Sequence, residues 1–382
     1  MTTLYQLDSN GNTKIWKINV TNQGKYSEIV IESGRKDSPN LVKNISKISE
    51  GKNQGKINET NHYTQALSEM ESSVNAQLRK GYVYNLQDVK SSSILGSGIP
   101  SPMLAQKYCA DGSQKGSKTL QQLNLVNKDI IVQPKLDGNR CMIKIENGNA
   151  VMYTRKGDIM PVQLNHIIEE LNQDMGDYCS IILDGELFSD EVPFNTLNGL
   201  IKRVKATNEE LEKRKLIKFH LYDVMFTDGY ETRKEFIKQF ASKNIIIVPS
   251  FKIKATNENI QTYLERFLAE GHEGLMIRQL GIGYENKRTW QLCKVKIFED
   301  AEYKLIGYEE DARGGFVGAF VLEDDAGNKF NAGASGQSVE ERTELWNNRY
   351  SDTNIGKMAT VCYFGLSEYG IPRFPKFKGI RE

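Results

Sequence analysis

Little in this chain is extreme, and what it lacks narrows the possibilities first. Its 50 Lys and Arg are matched by 49 Asp and Glu over 382 residues, a formal charge of +1. Whole-chain charge therefore gives no signal for a polyanionic partner, and any phosphate-binding surface has to be a local patch. No segment departs far from balance: residues 1–97 hold 12 basic and 9 acidic side chains, 98–297 hold 28 and 25, and 298–382 hold 10 and 15. Cysteine is scarce. The five (Cys109, Cys141, Cys179, Cys293, Cys362) are odd in number and far apart, without zinc-knuckle or redox-pair spacing. Reduced thiols in a cytosol-like compartment are expected. No apolar run approaches the ~20 residues of a membrane span, and the opening MTTLYQLDSNGN has no apolar signal segment. These absences lead us to expect a soluble monomer with no membrane partner, intracellular or made inside a host cell. There is no internal repeat.

The length leaves room for two or three domains. The first ~47 residues read as short strands between polar turns, with Ile15–Val20 alternating at period 2 and a second strand at Glu28–Ile31. Residues 48–61 read as a polar loop. Tyr63 to Lys80 carries helical apolar spacing (Ala66, Leu67, Met70, Val74, Leu78) and ends at Gly81. Residues 86–97, rich in Ser, form a linker. From Pro102 the pattern is mixed α/β. Strand-like runs fall at 130–132, 141–145, 180–183, 218–224, 244–248 and 274–277, and helices at 162–171 and 260–270. After Phe298 strands return, at 303–308, 318–322 and 357–363, about the size of a five-stranded barrel.

Five segments carry chemistry. In Gln133-Pro134-Lys135-Leu136-Asp137-Gly138-Asn139-Arg140 a Lys ends an apolar strand, followed by Asp-Gly and another cation. Asp-Gly is a common hairpin corner; the chemical reading makes the ε-amine a nucleophile, its pKa lowered by burial or neighbouring cations. Ile182-Leu183-Asp184-Gly185-Glu186-Leu187 places two carboxylates at a strand end, either a turn or a pair that holds a hard metal ion and a ribose hydroxyl. Glu273 opens the buried strand Gly274–Arg278. Lys294 and Lys296 fall on one strand face, where like charges need a polyanion between them or abundant water. Arg373-Phe374-Pro375-Lys376-Phe377-Lys378-Gly379-Ile380-Arg381 interleaves cations with aromatics. A solvated face is the ordinary reading of either basic segment alone.

The order of these segments resembles the covalent nucleotidyltransferase superfamily of ATP-dependent DNA ligases, RNA ligases and mRNA capping enzymes. The segments 289–296 and 372–381, with the opening Pro102-Met103-Leu104-Ala105, are most similar to small viral and phage DNA ligases. The resemblance covers about residues 98–382. It implies an α/β nucleotidyltransferase (ATP-grasp-like) adenylation domain over 98–297 and an all-β OB-fold domain over 298–382. It also implies ATP as cofactor, with AMP as a covalent adduct of Lys135, together with Mg²⁺ or Mn²⁺ and nicked duplex DNA as substrate. Arg140 would contact the nucleotide. Glu186 would bind the ribose or a metal, Glu273 a metal, and Lys294 and Lys296 the α-phosphate. Arg373 and Arg381 would orient the departing pyrophosphate. Thr154-Arg155-Lys156-Gly157 resembles a family turn whose Arg grips the 5′-phosphate of the nick. Tyr222 falls where the family stacks an aromatic ring on adenine; an ordinary core Tyr is the alternative.

The pattern departs from the family at three places. Gln133 stands where many relatives carry Glu near the adenine edge, Lys156 adds a charge to the nick-facing turn, and the segment from Gly307 to Asn331 is too short for a long DNA-clasping insertion. Residues 1–85 resemble a small β-rich WGR-type module associated with DNA ends, although Ser33-Gly34-Arg35 replaces the Trp of its signature. An unrelated partner-binding domain is the alternative there. For the whole chain, an RNA ligase, a GTP-dependent capping enzyme and a non-catalytic DNA-end-binding protein remain open.

Overall fold

The computed structural model describes all residues except 9–10, 90–93, 96, 173–179, 297, 335, 368 and 382. Part of the expected linker and Cys179 therefore lie outside the described residues; Cys109, Cys141, Cys293 and Cys362 are free thiols. The chain forms two compact units, one of residues 90–296 with 79–81, the other of residues 1–78, 82–89 and 297–382. No described helix is long and apolar enough to cross a membrane.

At the N-terminus β1 (Thr2–Leu7), β2 (Thr13–Asn22), β3 (Ser27–Arg35) and β4 (Val42–Ile48) make an antiparallel sheet in sequence order. One face collects Leu4, Trp16, Ile18 and Ile29, because period 2 sends alternate side chains the same way. The helix α1 (His62–Arg79) lays Ala66 and Val74 onto that face. Residues 49–61, lacking apolar periodicity, form neither helix nor strand.

The larger unit holds two sheets. Its strands are β5 (Leu104–Tyr108), β6 (Ser117–Lys118), β7 (Asp129–Lys135), β8 (Asn139–Glu146), β9 (Asn149–Thr154), β10 (Ser180–Phe188), β11 (Lys218–Val224), β12 (Ile245–Ile247), β13 (Phe251–Lys254), β14 (Gly274–Gln279) and β15 (Arg288–Val295). Between them run α2 (Asn165–Leu171), α3 (Phe194–Lys202), α4 (Asn208–Arg214), α5 (Tyr230–Ile237) and α6 (Asn257–Ala269). One sheet has the order β12-β11-β10-β8-β9, the other β13-β7-β14-β15-β5-β6. Each has its own apolar core. Ile143, Ile145, Leu183, Phe219 and Leu221 pack with Ile167, Leu197 and Ile237 of the helices, while Ile130, Val132, Leu275 and Ile277 meet Ile260, Leu264 and Phe267 of α6. The apolar residues of α6 recur at i, i+4 and i+7, and Thr256 caps its N-terminus by accepting from the Asn259 amide. Helix α2 begins at Asn165, three residues later than its apolar pattern suggests: Val162 and Leu164 are buried by the chain that leads into it.

In the C-terminal segment β16 (Glu299–Glu310), β17 (Val317–Glu323), β18 (Lys329–Gly333), β19 (Met358–Tyr363) and β20 (Lys376–Ile380) close a barrel in the order β16-β17-β18-β20-β19. The five strands give the OB-like barrel expected from the sequence. Phe320 and Phe377 stack at 3.7 Å between centroids in its core. Helix α7 (Val339–Asn348) is capped by Ser338 and Glu341 in a reciprocal box.

Candidate active site

Strand β7 is buried without interruption from Ile130 to Pro134 and partly open only at its two ends, Asp129 and Lys135. Across the sheet Lys135 pairs with Gly274 of β14, and the Glu273 amide donates to the Lys135 carbonyl at 2.8 Å. This register sets the two side chains together. The Lys135 Nζ donates to Glu273 Oε2, and the Lys296 Nζ donates to Oε1 of the same carboxylate. Glu273 is 5% exposed and the lysines about a fifth, so this is a largely desolvated cluster. Gly274 makes the approach possible: its φ of 148° is open only to glycine, and a Cβ would run into the Val295 carbonyl.

Lys294 lies on β15, opposite Met276 of β14 and Lys107 of β5. Burial lowers its pKa first, and Lys135, Arg288, Arg155 and Lys107 lower it further. The charges acting on it are all positive. Lys296 stands one residue beyond β15, so the pair is not left to repel across a strand face: Glu273 takes Lys296, while Lys294 faces the cations.

On the second sheet β8 pairs with β10, placing Arg140 opposite Glu186. Gly138 permits this, since a Cβ there would meet the Leu187 carbonyl and the Glu186 Cγ. Burial pushes the Glu186 carboxyl up to about 7, although Lys135 and Arg140 pull it back. Asp184, read from sequence as a partner of Glu186 for metal or ribose, has a different place. It is 1% exposed and receives Arg140 through Nε at 2.9 Å and Nη2 at 2.5 Å. A carboxylate so buried must be paired, and a forked guanidinium supplies both bonds. Tyr284 donates to the same carboxylate at 2.5 Å and Tyr222 at 3.3 Å. Tyr222 is half-buried, its ring 5.8 Å from the Arg140 guanidinium and 5.6 Å from that of Arg278.

Gln133 is 2% exposed and fully engaged by protein. Its Oε1 accepts from Arg278 Nε at 2.6 Å, and its Nε2 donates to the Tyr230 hydroxyl at 2.9 Å and to Ser250 Oγ at 3.0 Å. Arg278 in turn pairs with Asp223, which also binds Arg233. Arg278 closes the short segment that Glu273 opens and Asp223 follows Tyr222, whereas Arg233, Tyr230, Ser250 and Tyr284 carry no spacing signal. Arg155 and Lys156 lie exposed on the turn after β9, closed by the Gly157 amide donating to the Thr154 carbonyl at 2.8 Å. Partial desolvation lowers the Arg155 pKa, with Arg140 and Arg288 adding to it.

The larger unit thus brings together Lys135, Arg140, Glu186, Glu273, Lys294 and Lys296, with Gln133 and Tyr222 behind them. Arg373 and Arg381 belong to the barrel. Arg373 lies by the rings of Phe364 and Phe374, and Arg381 pairs with Glu302 at 2.5 Å. No group of three or more His, Cys, Asp or Glu among the described residues could cage a metal ion. A hard ion held by one or two carboxylates and by substrate phosphates needs no such cage. The raised Glu186 carboxyl is an acid that gains from an arriving cation.

Comparison with known proteins is consistent along the chain. Residues 102–296 match the model of the ATP dependent DNA ligase domain, and residues 313–381 that of the DNA ligase OB-like domain. A curated DNA ligase of African swine fever virus (isolate Pig/Kenya/KEN-50/1950) is 25% identical over 373 residues, covering 89% of this chain and 80% of the viral one. A DNA ligase of Haemophilus influenzae is 26% identical over 213 residues, 53% of this chain and 72% of its own length. Among solved structures, a Lig E DNA ligase overlays 74% of this chain and 100% of its own with a TM-score of 0.56 at 22% identity. A second, Pmar-Lig, overlays 74% and 68% with a TM-score of 0.60 at 24% identity.

Proposed function

The chain belongs to the ATP-dependent DNA ligases, and on that footing we propose that Lys135 is the residue that carries AMP and that nicked duplex DNA is the substrate. The observation behind this reading is the double engagement of Glu273 by Lys135 and Lys296 at the mouth of β7. The Lys135 Nζ attacks the α-phosphorus of ATP; an N–P bond forms, the α–β P–O bond breaks and pyrophosphate leaves. The 5′-phosphate of the nick then displaces the lysine, giving a 5′–5′ linked AMP. The neighbouring 3′-hydroxyl attacks that phosphate, joins the strand and releases AMP.

Attack requires a neutral amine. Glu273 holds the Lys135 ammonium and favours its charged form, whereas Lys294, under positive charge from four neighbours, opposes it. An entering triphosphate satisfies that field and loosens the hold of Glu273. Lys294 and Lys296 then stabilise the charge gathering on the α-phosphate. Arg140, fixed by Asp184, contacts the nucleotide, and Tyr222 packs against the base with Gln133 behind it. Glu186 and Glu273 would hold Mg²⁺ or Mn²⁺, which as a Lewis acid withdraws charge from the phosphate oxygens. Arg155 and Lys156 grip the nick phosphate. Arg373 and Arg381 orient the leaving pyrophosphate. Residues 98–297 form the adenylation domain, 298–382 the OB-fold domain and 1–85 a WGR-like module that holds duplex DNA.

The test is incubation with α-labelled ATP followed by a denaturing gel. Wild-type protein should retain label and Lys135→Ala none, while the variant still seals a nick supplied already adenylated. Undiminished labelling of Lys135→Ala would place the adduct elsewhere.

A further inference from the structure

Tyr284 lies between β14 and β15, outside any regular element, yet it is 9% exposed and its amide is tied to the Phe226 carbonyl at 2.9 Å. A buried hydroxyl costs stability unless both its roles are filled. Here they are. The oxygen accepts from the Met103 amide at 2.8 Å, and the proton goes to Asp184 Oδ2 at 2.5 Å. The same Oδ2 receives Arg140 Nη2 at 2.5 Å, and that nitrogen is 3.4 Å from the Tyr284 oxygen. Phenol, carboxylate and guanidinium therefore form a closed triangle. Oδ1 takes Arg140 Nε at 2.9 Å and, more distantly, the Tyr222 hydroxyl at 3.3 Å.

A carboxylate on a strand can turn about its terminal bond, which is broad rather than sharply staggered. With Arg140 alone, Asp184 and the guanidinium could rotate as a pair. Tyr222 adds only a long bond of 3.3 Å to Oδ1, whereas the 2.5 Å bond from Tyr284, a residue anchored at both its backbone and its hydroxyl, removes that freedom. The phenol stays a donor at any working pH, because burial and the Asp184 charge raise its pKa well above the usual tyrosine value. A Phe at this position would fill the same volume without the bond, so shape is not the reason for a Tyr.

We propose that Tyr284 is a positioning residue of the nucleotide site: its hydroxyl locks the Asp184 carboxylate in the orientation that presents the Arg140 guanidinium to ATP. The inference rests on the reading that Arg140 contacts the nucleotide. It assigns to Tyr284 no contact with substrate of its own. It also makes the Met103 segment part of the same support, since the Met103 amide holds the hydroxyl that holds Asp184.

The test uses full-length protein and four forms: wild type, Tyr284→Phe, Arg140→Ala and the double variant. Lysyl-AMP formation is followed with α-labelled ATP, so that KM for ATP and the rate at saturation are obtained separately, and thermal melting is recorded beside them. For Tyr284→Phe, KM should rise about tenfold, the lower end for losing a hydrogen bond to a charged group. Its saturated rate should change little and its melting temperature by a few degrees at most. In the Arg140→Ala background the same change should add nothing, because its effect passes through Arg140. An unchanged KM in Tyr284→Phe, or KM effects that multiply in the double variant, would overturn the inference. If Arg140→Ala itself leaves KM unchanged, the reading beneath fails, and the inference with it.

Discussion

Arg278 Nη1 lies 2.5 Å from Asp223 Oδ2, the two side chains being 6% and 0% exposed. Arg233 reaches the other oxygen at 2.7 Å, and the Val224 amide donates to it at 2.9 Å. One carboxylate thus holds two guanidinium groups in the interior. The arrangement also decides which way Gln133 faces. A guanidinium has donors only, so the atom of Gln133 turned to Arg278 is its oxygen, and the amide nitrogen is directed to Tyr230 and Ser250.

Asp223→Asn should therefore be among the most damaging substitutions in the larger unit. It strands two buried cations, a loss of about 3–5 kcal/mol where one partner of a buried pair is removed. Denaturant unfolding of the two proteins gives the figure. A loss below about 1 kcal/mol would mean that water reaches the pair.

The barrel arginines should separate the steps. With Arg373→Ala or Arg381→Ala, lysyl-AMP formation should fall about a hundredfold, the scale for removing one donor to developing charge. Sealing of a pre-adenylated nick should fall only a few-fold, since no pyrophosphate leaves there. Glu302→Ala, which frees Arg381 from an exposed ion pair, should leave the first step intact. Equal losses in both assays for either arginine variant would assign that arginine to DNA binding or folding.

His220 on β11 makes an edge contact with Phe188 at 5.2 Å between ring centroids. Burial pushes its pKa down to about 4, with Lys218 and His272 lowering it and Asp190 opposing. The unfolded chain, near the ordinary ~6.5, binds a proton that the folded chain refuses. Stability is then lost as pH falls from ~6.5 towards 4 and is flat above. Melting temperatures across pH 4–7 should drop more steeply for wild type than for His220→Leu. Parallel curves would show that other groups set the slope.

Deleting residues 1–85 should leave adenylation by ATP nearly unchanged, because the lysine cluster lies wholly within residues 90–296. The segment carries 11 basic and 8 acidic side chains, and affinity for a nicked duplex should fall with its removal. The log–log salt dependence should flatten by ~0.9 for each phosphate that the shortened protein no longer neutralises. Titration of nicked duplex at several salt concentrations, full-length beside truncated, measures both. Identical affinity and slope would point to a protein partner for this module.

The cluster around Lys135 is legible in the sequence because each member sits at a strand end with its own short motif, and β-register joins ends that sequence separates. Lys135, Glu273 and Lys296 meet for that reason. Asp184 is misread from sequence because spacing shows that two carboxylates share a strand but not which is sealed from water; burial decides that it pairs with Arg140. Tyr284 and Arg233 leave no trace at all. One of 17 tyrosines becomes a brace only through a fold that carries it beside Met103 and Asp184, and no local pattern encodes that meeting. Three of the barrel's strands show in the sequence and the count of five rests on the segment's size, since the short β18 and β20 leave little alternation to read. The start of α2 does not show either, because apolar periodicity cannot tell a helix from the buried chain leading into it.

The tie between Met103 and Tyr284 spans 181 residues, and the parallel pairing of β5 with β15 spans nearly the same stretch. A ribosome adding about 5–20 residues per second therefore releases β5 roughly 10 to 40 seconds before its partner strand exists. During that interval the side of β5 that faces β15 has no partner, although the short β6 follows it at once, and Lys294 and Lys296 are still unmade. ATP cannot serve as an early ligand that guides the growing chain, because the groups proposed to bind it come from both sheets and run from Lys135 on β7 to Lys296 just beyond β15. The larger unit has to complete its least local contacts before any nucleotide can stabilise it.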